Sequence, residues 1–133
     1  GLIGALGAGK TIFSQGLAAG LGVKKNITSP TFVLMKIYPV KSPRLVGGIL
    51  SKTKLFNGVN PAAKTKQIKL LAHLDAYRIK SSKDLIAIGI NEYTSRPDTV
   101  TVIEWADKIK AILPKTAKFI TINYKNNSRI IKF

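Results

Sequence analysis

Gly4-Ala5-Leu6-Gly7-Ala8-Gly9-Lys10-Thr11 matches the phosphate-binding loop pattern G-x-x-x-x-G-K-[ST] at every fixed position. Its glycines allow positive-φ backbone conformations, so that consecutive N–H groups can surround a phosphate. A helix that begins near Lys10 would point the positive end of its dipole at the same anion. The alternative is a glycine-rich turn before a helix, without a ligand.

The residues around this segment have a strand-loop-helix pattern. Leu2 and Ile3 are typical of the end of a buried strand. Apolar residues then recur at helical spacing, at Ile12, Phe13, Leu17 and Leu21. Gly20 and Gly22 predict the end of that helix. The segment therefore predicts an α/β domain that binds a nucleotide phosphate.

The loop residues have separable predicted roles. Lys10 would reach the β- and γ-phosphates, and the Thr11 hydroxyl would hold Mg²⁺. The predicted nucleotide ligands are Leu6, Gly7, Ala8, Gly9, Lys10 and Thr11.

Composition fits one domain over residues 1–133, of which 45% are hydrophobic. Because the chain has no cysteine, disulfides, thiolate metal sites and cysteine nucleophiles are excluded. No apolar run approaches the roughly 20 residues of a membrane span, so we expect a cytoplasmic protein.

Only Gly1, Leu2 and Ile3 precede the motif, and we expect that most of the first strand, usually about five residues, is missing.

Positive charge is the second strong feature. Lys and Arg number 22 against 6 Asp and Glu, giving a formal net charge of +16. This charge favours polyanions such as tRNA or ATP, although a solvated basic surface is an equal alternative.

Segment 36–69 contains eight basic residues and no acid among prolines and glycines. We expect a mobile insertion there, with a hairpin around Asn57-Gly58.

Two apolar runs end in an acidic residue. Residues 68–74 lead to Asp75, and residues 100–103 lead to Glu104. In open α/β sheets ligands bind at the carboxyl ends of the strands, beside the phosphate loop. We therefore predict that Lys10, Asp75 and Glu104 are catalytic and that Thr11, Asp75 and Glu104 hold the metal. A strand-terminal solvated acid and a helix N-cap are the structural alternatives for the two carboxylates.

The remaining pattern completes the predicted sheet and helices. The Ser29-Pro30-Thr31 turn leads into an apolar strand through Met35. Ser81 and Asp84 resemble a capping box for a helix that ends near Gly89. A further helix is predicted over 106–113, and strands 119–124 and 130–133 predict a C-terminal hairpin.

Four motifs in this order resemble the TsaE (YjeE-like) family, the small bacterial ATPases of tRNA threonylcarbamoyladenosine biosynthesis. They are the loop at 4–11, Thr28-Ser29-Pro30-Thr31-Phe32, His73-Leu74-Asp75-Ala76-Tyr77-Arg78 and Val102-Ile103-Glu104-Trp105. The resemblance implies a P-loop NTPase-like mixed sheet with a parallel core and flanking antiparallel strands. It also implies ATP and Mg²⁺ as cofactors and a TsaB–TsaD-type complex as partner.

The resemblance also bears on individual residues. It favours metal contact for Glu104, makes a functional Trp105 as plausible as a core Trp105, and places Arg129 close to the nucleotide. The chain departs from the family pattern at Ala5, where Asp is usual, and at Leu74-Asp75-Ala76, where Phe-Asp-Leu is usual.

Other residues have weaker predictions. Thr28, Ser29 and Thr31 could sense the γ-phosphate or form a simple turn. His73, the only histidine, is predicted to be structural. Arg78 is expected to pair with an acid, either of a partner or of the fold.

Two other functions share these features. A small-molecule P-loop kinase would transfer the phosphate to a metabolite, and segment 36–69 offers it a single lid arginine, Arg44. A non-catalytic basic module would bind tRNA without needing Lys10.

Overall fold

The computed structural model describes residues 1–41, 67–79 and 81–133 of the chain. In these residues six strands form one sheet: β1 (Leu2–Ile3), β2 (Met35–Pro39), β3 (Leu70–Asp75), β4 (Thr99–Glu104), β5 (Ile120–Lys125) and β6 (Ser128–Lys132). The described part of the chain also contains the α-helices α1 (Lys10–Leu21), α2 (Ser82–Ala87) and α3 (Ile90–Thr94) and a 3₁₀ helix (Ala106–Ile112).

The strand order is β2-β3-β4-β1-β5-β6. The central neighbours β3, β4, β1 and β5 pair in parallel, whereas β2 and β6 pair antiparallel at the two edges. This arrangement confirms the predicted mixed sheet with a parallel core and a C-terminal hairpin.

Apolar clusters cover both faces of the sheet. One contains Leu2, Val102 and Ile122 together with Ala18 and Leu21 of α1. The other contains residues of β3, β4, α2 and the 3₁₀ helix, among them Leu74, Ile103, Leu85 and Ile109. Because adjacent strand residues point to opposite faces, Val102 and Ile103 pack into different clusters. Burial on both faces explains why the parallel strands are continuous apolar runs.

Helix α1 is confirmed, but its buried face differs from the predicted one. The helix passes through Gly20 and ends at Leu21, where Gly22 caps it with a φ of 87°. Its buried residues are Lys10, Ser14, Ala18 and Leu21, whereas Ile12 is 64% exposed. Small side chains at 14 and 18 let the helix backbone approach the sheet closely, and this places Ile12 on the opposite side.

The strand after the Ser-Pro-Thr turn begins later than predicted. Residues 31–33 form a turn in which Phe32 and Val33 are exposed, and Leu34 has a positive φ of 62°. β2 then starts at Met35, so residues 36–39 of the predicted insertion belong to an edge strand of the sheet. The rest of that segment from residue 42 to 66, including the predicted Asn57-Gly58 hairpin, lies outside the described residues.

The other local predictions are confirmed with changes in detail. Ser81 and Asp84 form a full capping box before α2, and Gly89 separates α2 from α3 with a φ of 72°. The helix after Trp105 is 3₁₀ rather than α. The terminal hairpin turns at Asn126 and Asn127, both with positive φ, a conformation that asparagine tolerates well. Among the described residues, no helix is long and apolar enough to cross a membrane.

Candidate nucleotide and metal site

The glycine-rich loop joins β1 to α1 and has the backbone that its sequence predicts. Gly4, Gly7 and Gly9 all adopt positive φ, at 156°, 76° and 106°. The Ala8 N–H donates to the Ala5 carbonyl at 3.2 Å, which turns the loop back toward the helix. Among the side chains that the structure describes, none caps the N-terminus of α1. This helix end therefore suits an anion, since its first N–H groups have no side-chain acceptor.

Lys10 is held inside the loop. Its Nζ donates to the carbonyls of Gly4 at 2.7 Å and Ala5 at 2.8 Å, and lies 3.7 Å from the ring centroid of Trp105. Burial lowers the pKa of Lys10, while the charges of Glu104 and Asp75 raise it. The ammonium therefore lies in a partly desolvated pocket between loop carbonyls and an aromatic ring. Phosphate oxygens would compete strongly with these carbonyls for its hydrogen bonds.

Asp75 and Glu104 lie side by side. They are register partners at the carboxyl ends of β3 and β4, and each is only 3% exposed. The Thr11 hydroxyl donates to Glu104 Oε2 at 2.9 Å. The structure therefore brings together Thr11, Asp75 and Glu104 at the edge of the sheet next to Lys10.

The two carboxylates have different partners. Asp75 Oδ1 accepts the Tyr77 N–H at 2.8 Å, and Oδ2 accepts the hydroxyls of Thr31 at 2.5 Å and Ser29 at 3.3 Å. The Thr28 hydroxyl accepts instead from Lys36 Nζ at 2.6 Å. Two of the three proposed γ-phosphate sensors thus contact a predicted metal ligand.

Trp105 lies at the site. It follows β4 in a left-handed conformation, with φ 58° and ψ 40°, which is uncommon for a bulky residue. Its ring contacts the Tyr77 ring, with centroids 5.1 Å apart, as well as the Lys10 ammonium. A strained backbone that places an aromatic ring on the loop lysine favours the functional interpretation of Trp105.

The two predicted arginines have different positions. Arg129 of β6 donates from Nε to the Ala8 carbonyl at 3.1 Å, so it contacts the loop where the family resemblance placed it. The Arg78 guanidinium lies over the Phe32 ring, 4.6 Å from the centroid, and its pairing with an acid of a partner stays a prediction. This contact ties the Phe32 turn to the end of β3.

His73, predicted to be structural, is buried against a predicted metal ligand. Its Nε2 lies 2.7 Å from Glu104 Oε1, and the side chain is fully buried. The two-residue spacing of His73 and Asp75 in the sequence indicates this contact. Residues two apart on a strand share a face, so His73 lies on the same face of β3 as Asp75, diagonally beside the register partner of Asp75.

The donor set suits a magnesium ion. No group of three or more His, Cys, Asp or Glu residues that could hold a metal occurs in the described part of the chain. Mg²⁺ does not require such a group, because it binds one or two carboxylates and completes its shell with phosphate oxygens and water. Glu104, Asp75 and the Thr11 hydroxyl provide hard oxygen donors of that kind.

Comparison with known proteins gives consistent relatives. The tRNA threonylcarbamoyladenosine biosynthesis protein TsaE of Treponema pallidum is 36% identical over 91% of this chain and 69% of its own length. The TsaE proteins of Haemophilus influenzae and Bacillus subtilis are 29% and 35% identical, over 98% and 91% of this chain. The matches span 66% and 58% of those two proteins.

A solved structure and a family model agree with these relatives. The crystal structure of Bacillus subtilis YdiB superposes with a TM-score of 0.58 at 29% identity, covering 98% of this chain and 62% of YdiB. The family model described as threonylcarbamoyl adenosine biosynthesis protein TsaE matches residues 1–47 and 52–131. These matched residues include the loop, the paired carboxylates and nearly the whole chain. This protein therefore belongs to the TsaE family.

Proposed function

We propose that this chain is a cytoplasmic Mg²⁺-dependent ATPase that drives the cycle of a TsaB–TsaD-type complex in tRNA N6-threonylcarbamoyladenosine formation. The observation that supports it most is the convergence of Lys10, Thr11, Asp75 and Glu104 at one edge of the sheet. The tRNA modification is proposed because the relatives are tRNA threonylcarbamoyladenosine biosynthesis proteins.

The residues divide the chemistry between them. Loop amides and Lys10 would bind the phosphates and stabilise the charge that develops as water attacks the γ-phosphate in line. Thr11 and Glu104 would hold Mg²⁺, which when bound neutralises phosphate charge. Asp75 would act through a metal-bound water, because its two oxygens accept three hydrogen bonds, from Tyr77, Thr31 and Ser29, whereas the donor at Glu104 Oε2 is Thr11, which would itself bind the metal.

The deciding experiment measures phosphate release from ATP by the purified chain. We expect turnover with Mg²⁺ and none with EDTA, and faster turnover when TsaB and TsaD proteins of a relative are added. Phosphate transfer to a metabolite instead of water would favour the kinase alternative. tRNA binding that falls with salt and survives replacement of Lys10, without any hydrolysis, would favour the basic binding module.

The carboxylates give a direct prediction. Glu104→Gln and Asp75→Asn each remove a negative charge while keeping the shape of the side chain. We expect Mg²⁺-dependent hydrolysis to fall about 10- to 100-fold in each, with the larger loss in Glu104→Gln because Glu104 contacts Thr11. Hydrolysis rates over a Mg²⁺ titration check this.

Asp98→Asn is the matched control for those two variants. Asp98 pairs with Arg96 on the surface, at 3.0 Å, so its replacement should leave hydrolysis unchanged. If Glu104→Gln retained wild-type Mg²⁺ dependence, Glu104 would not be a metal ligand.

Arg129 gives a second prediction. Arg129→Ala removes the hydrogen bond from β6 to the Ala8 carbonyl, which fixes the loop beside the phosphate site. We expect nucleotide affinity to fall about tenfold, the usual loss when a charged hydrogen bond is removed. Lys132→Ala, an exposed cation on the same strand, should not change affinity in the same titration with ADP. Equal affinities for the two variants would rule out a role of Arg129 in loop positioning.

A further inference from the structure

We propose that His73 is a positioning residue that fixes the Glu104 carboxylate for magnesium binding. This inference rests on the proposed function, and it assigns a role to a residue that the mechanism above does not use.

The geometry shows a carboxylate held at both oxygens. Oε1 of Glu104 lies 2.7 Å from His73 Nε2, and Oε2 accepts the Thr11 hydroxyl at 2.9 Å. His73 is completely buried and Glu104 is nearly so. A carboxylate that pivoted freely could offer either oxygen to a metal, whereas the contact with His73 selects Oε2, the oxygen beside Thr11. The two predicted metal ligands are thereby held together before any metal binds.

The hydrogen bond also defines the form of the ring. Within the described part of the chain, His73 Nδ1 is buried without a hydrogen-bond partner. A ring with its proton on Nε2 donates to Glu104 and leaves only a lone pair unsatisfied. A proton on Nδ1 would instead be a buried N–H without an acceptor, which is rarer and costlier. The ring is therefore the Nε2–H tautomer.

Packing alone does not account for a histidine here. Leu71, on the same face of β3 as His73, and Val102, the cross-strand register partner of His73, are buried apolar residues, so a leucine would suit the surroundings. What histidine adds is a donor for a buried carboxylate, whose charge is costly without a partner. Donors and acceptors behind a metal ligand typically set its orientation, and their loss typically costs 10- to 100-fold in metal affinity.

The first test uses the ligand-free full chain. Because His73 is the only histidine, ring ¹⁵N–¹H spectra report it without assignment ambiguity. We expect the Nε2–H tautomer, hydrogen-bonded to Glu104. Because of this hydrogen bond, the ring signals should shift in Glu104→Gln. An Nδ1–H tautomer would overturn the proposal, because Nε2 could not then donate to the carboxylate.

The second test compares His73→Leu, His73→Gln and His73→Asn. The amide nitrogen of glutamine can occupy the place of Nε2, whereas that of asparagine corresponds to Nδ1 and does not reach Glu104. For His73→Leu and His73→Asn we expect the Mg²⁺ concentration that half-saturates ADP binding to rise 10- to 100-fold. His73→Gln should lie closer to wild type, and all variants should bind ADP equally in EDTA. A folded His73→Leu variant with the wild-type Mg²⁺ requirement would overturn the proposal. A folded His73→Gln variant that needs as much Mg²⁺ as His73→Leu would overturn it too.

These measurements separate the positioning role from the proposed ATPase. If the wild type hydrolyses ATP and His73→Leu matches its Mg²⁺ requirement, only the role of His73 fails. If the wild type binds Mg²⁺ and ADP but hydrolyses no ATP, the ATPase proposal fails, and the binding comparison still decides the role of His73.

Discussion

Lys10→Ala is expected to lower ATP hydrolysis by at least about 10²- to 10³-fold, the usual loss when one fixed donor to a developing charge is removed. The lysine Nζ already lies inside the loop, bonded to two carbonyls that a phosphate would replace as partners. Burial holds the pKa of Lys10 down in the free chain, and bound phosphates would offset this by placing further negative charge beside the ammonium. Phosphate release under saturating Mg²⁺ and ATP measures the loss.

Two further variants make this result specific. Lys10→Met keeps most of the buried stem, so a loss of activity shared by Met and Ala is due to the charge and not to a cavity. Lys24→Ala removes an exposed cation beyond the end of α1 and should leave turnover unchanged. Undiminished turnover in folded Lys10→Ala would mean that hydrolysis occurs at a site other than this loop.

The parts of the site that lie close together in sequence were predictable. The loop pattern contains its own strand-to-helix context, so the position of Lys10 and Thr11 at the start of α1 follows from local chemistry. The pairing of Asp75 with Glu104 was predictable for another reason. Both end apolar runs, and parallel strands present their carboxyl ends at one edge.

Contacts between distant segments were not predictable from residue patterns alone. The hydrogen bond from Arg129 to Ala8 joins β6 to the loop after β1, two strands away, and depends on where the C-terminal hairpin lies. The contact between His73 and Glu104 requires the exact register of β3 and β4, which an apolar run does not fix within one residue. The family resemblance supplied Arg129, whereas His73 needed the structure.

Two errors have a common physical cause. Ile12 was assigned to the buried face of α1, and Phe32 and Val33 to a strand, because all are apolar. Hydrophobic side chains do occur on protein surfaces, and here short polar contacts decide the local geometry instead. Thr31 and Ser29 bond to Asp75, which keeps the turn in place and exposes the two residues that follow it.

Gly4→Ala is expected to have the largest effect on stability among single substitutions in the loop. A Cβ at this position would lie 2.3 Å from the backbone carbonyl oxygen of Ile122 in β5, far inside contact distance, and φ is 156°. Because the clash is with backbone, relief requires β1 and β5 to move apart. We expect the free energy of unfolding to fall by about 3 kcal/mol or more, and the melting temperature by about 10 °C or more.

Gly7→Ala separates this steric cause from the general cost of replacing a loop glycine. Gly7 also has a positive φ, of 76°, but a Cβ there meets no atom within 4 Å. Only conformational strain remains, so we expect a loss of about 1 kcal/mol. Thermal unfolding of both variants, without nucleotide, measures the difference. Equal losses would mean that the close approach of Gly4 to β5 does not limit stability, and that the loop glycines act through backbone conformation alone.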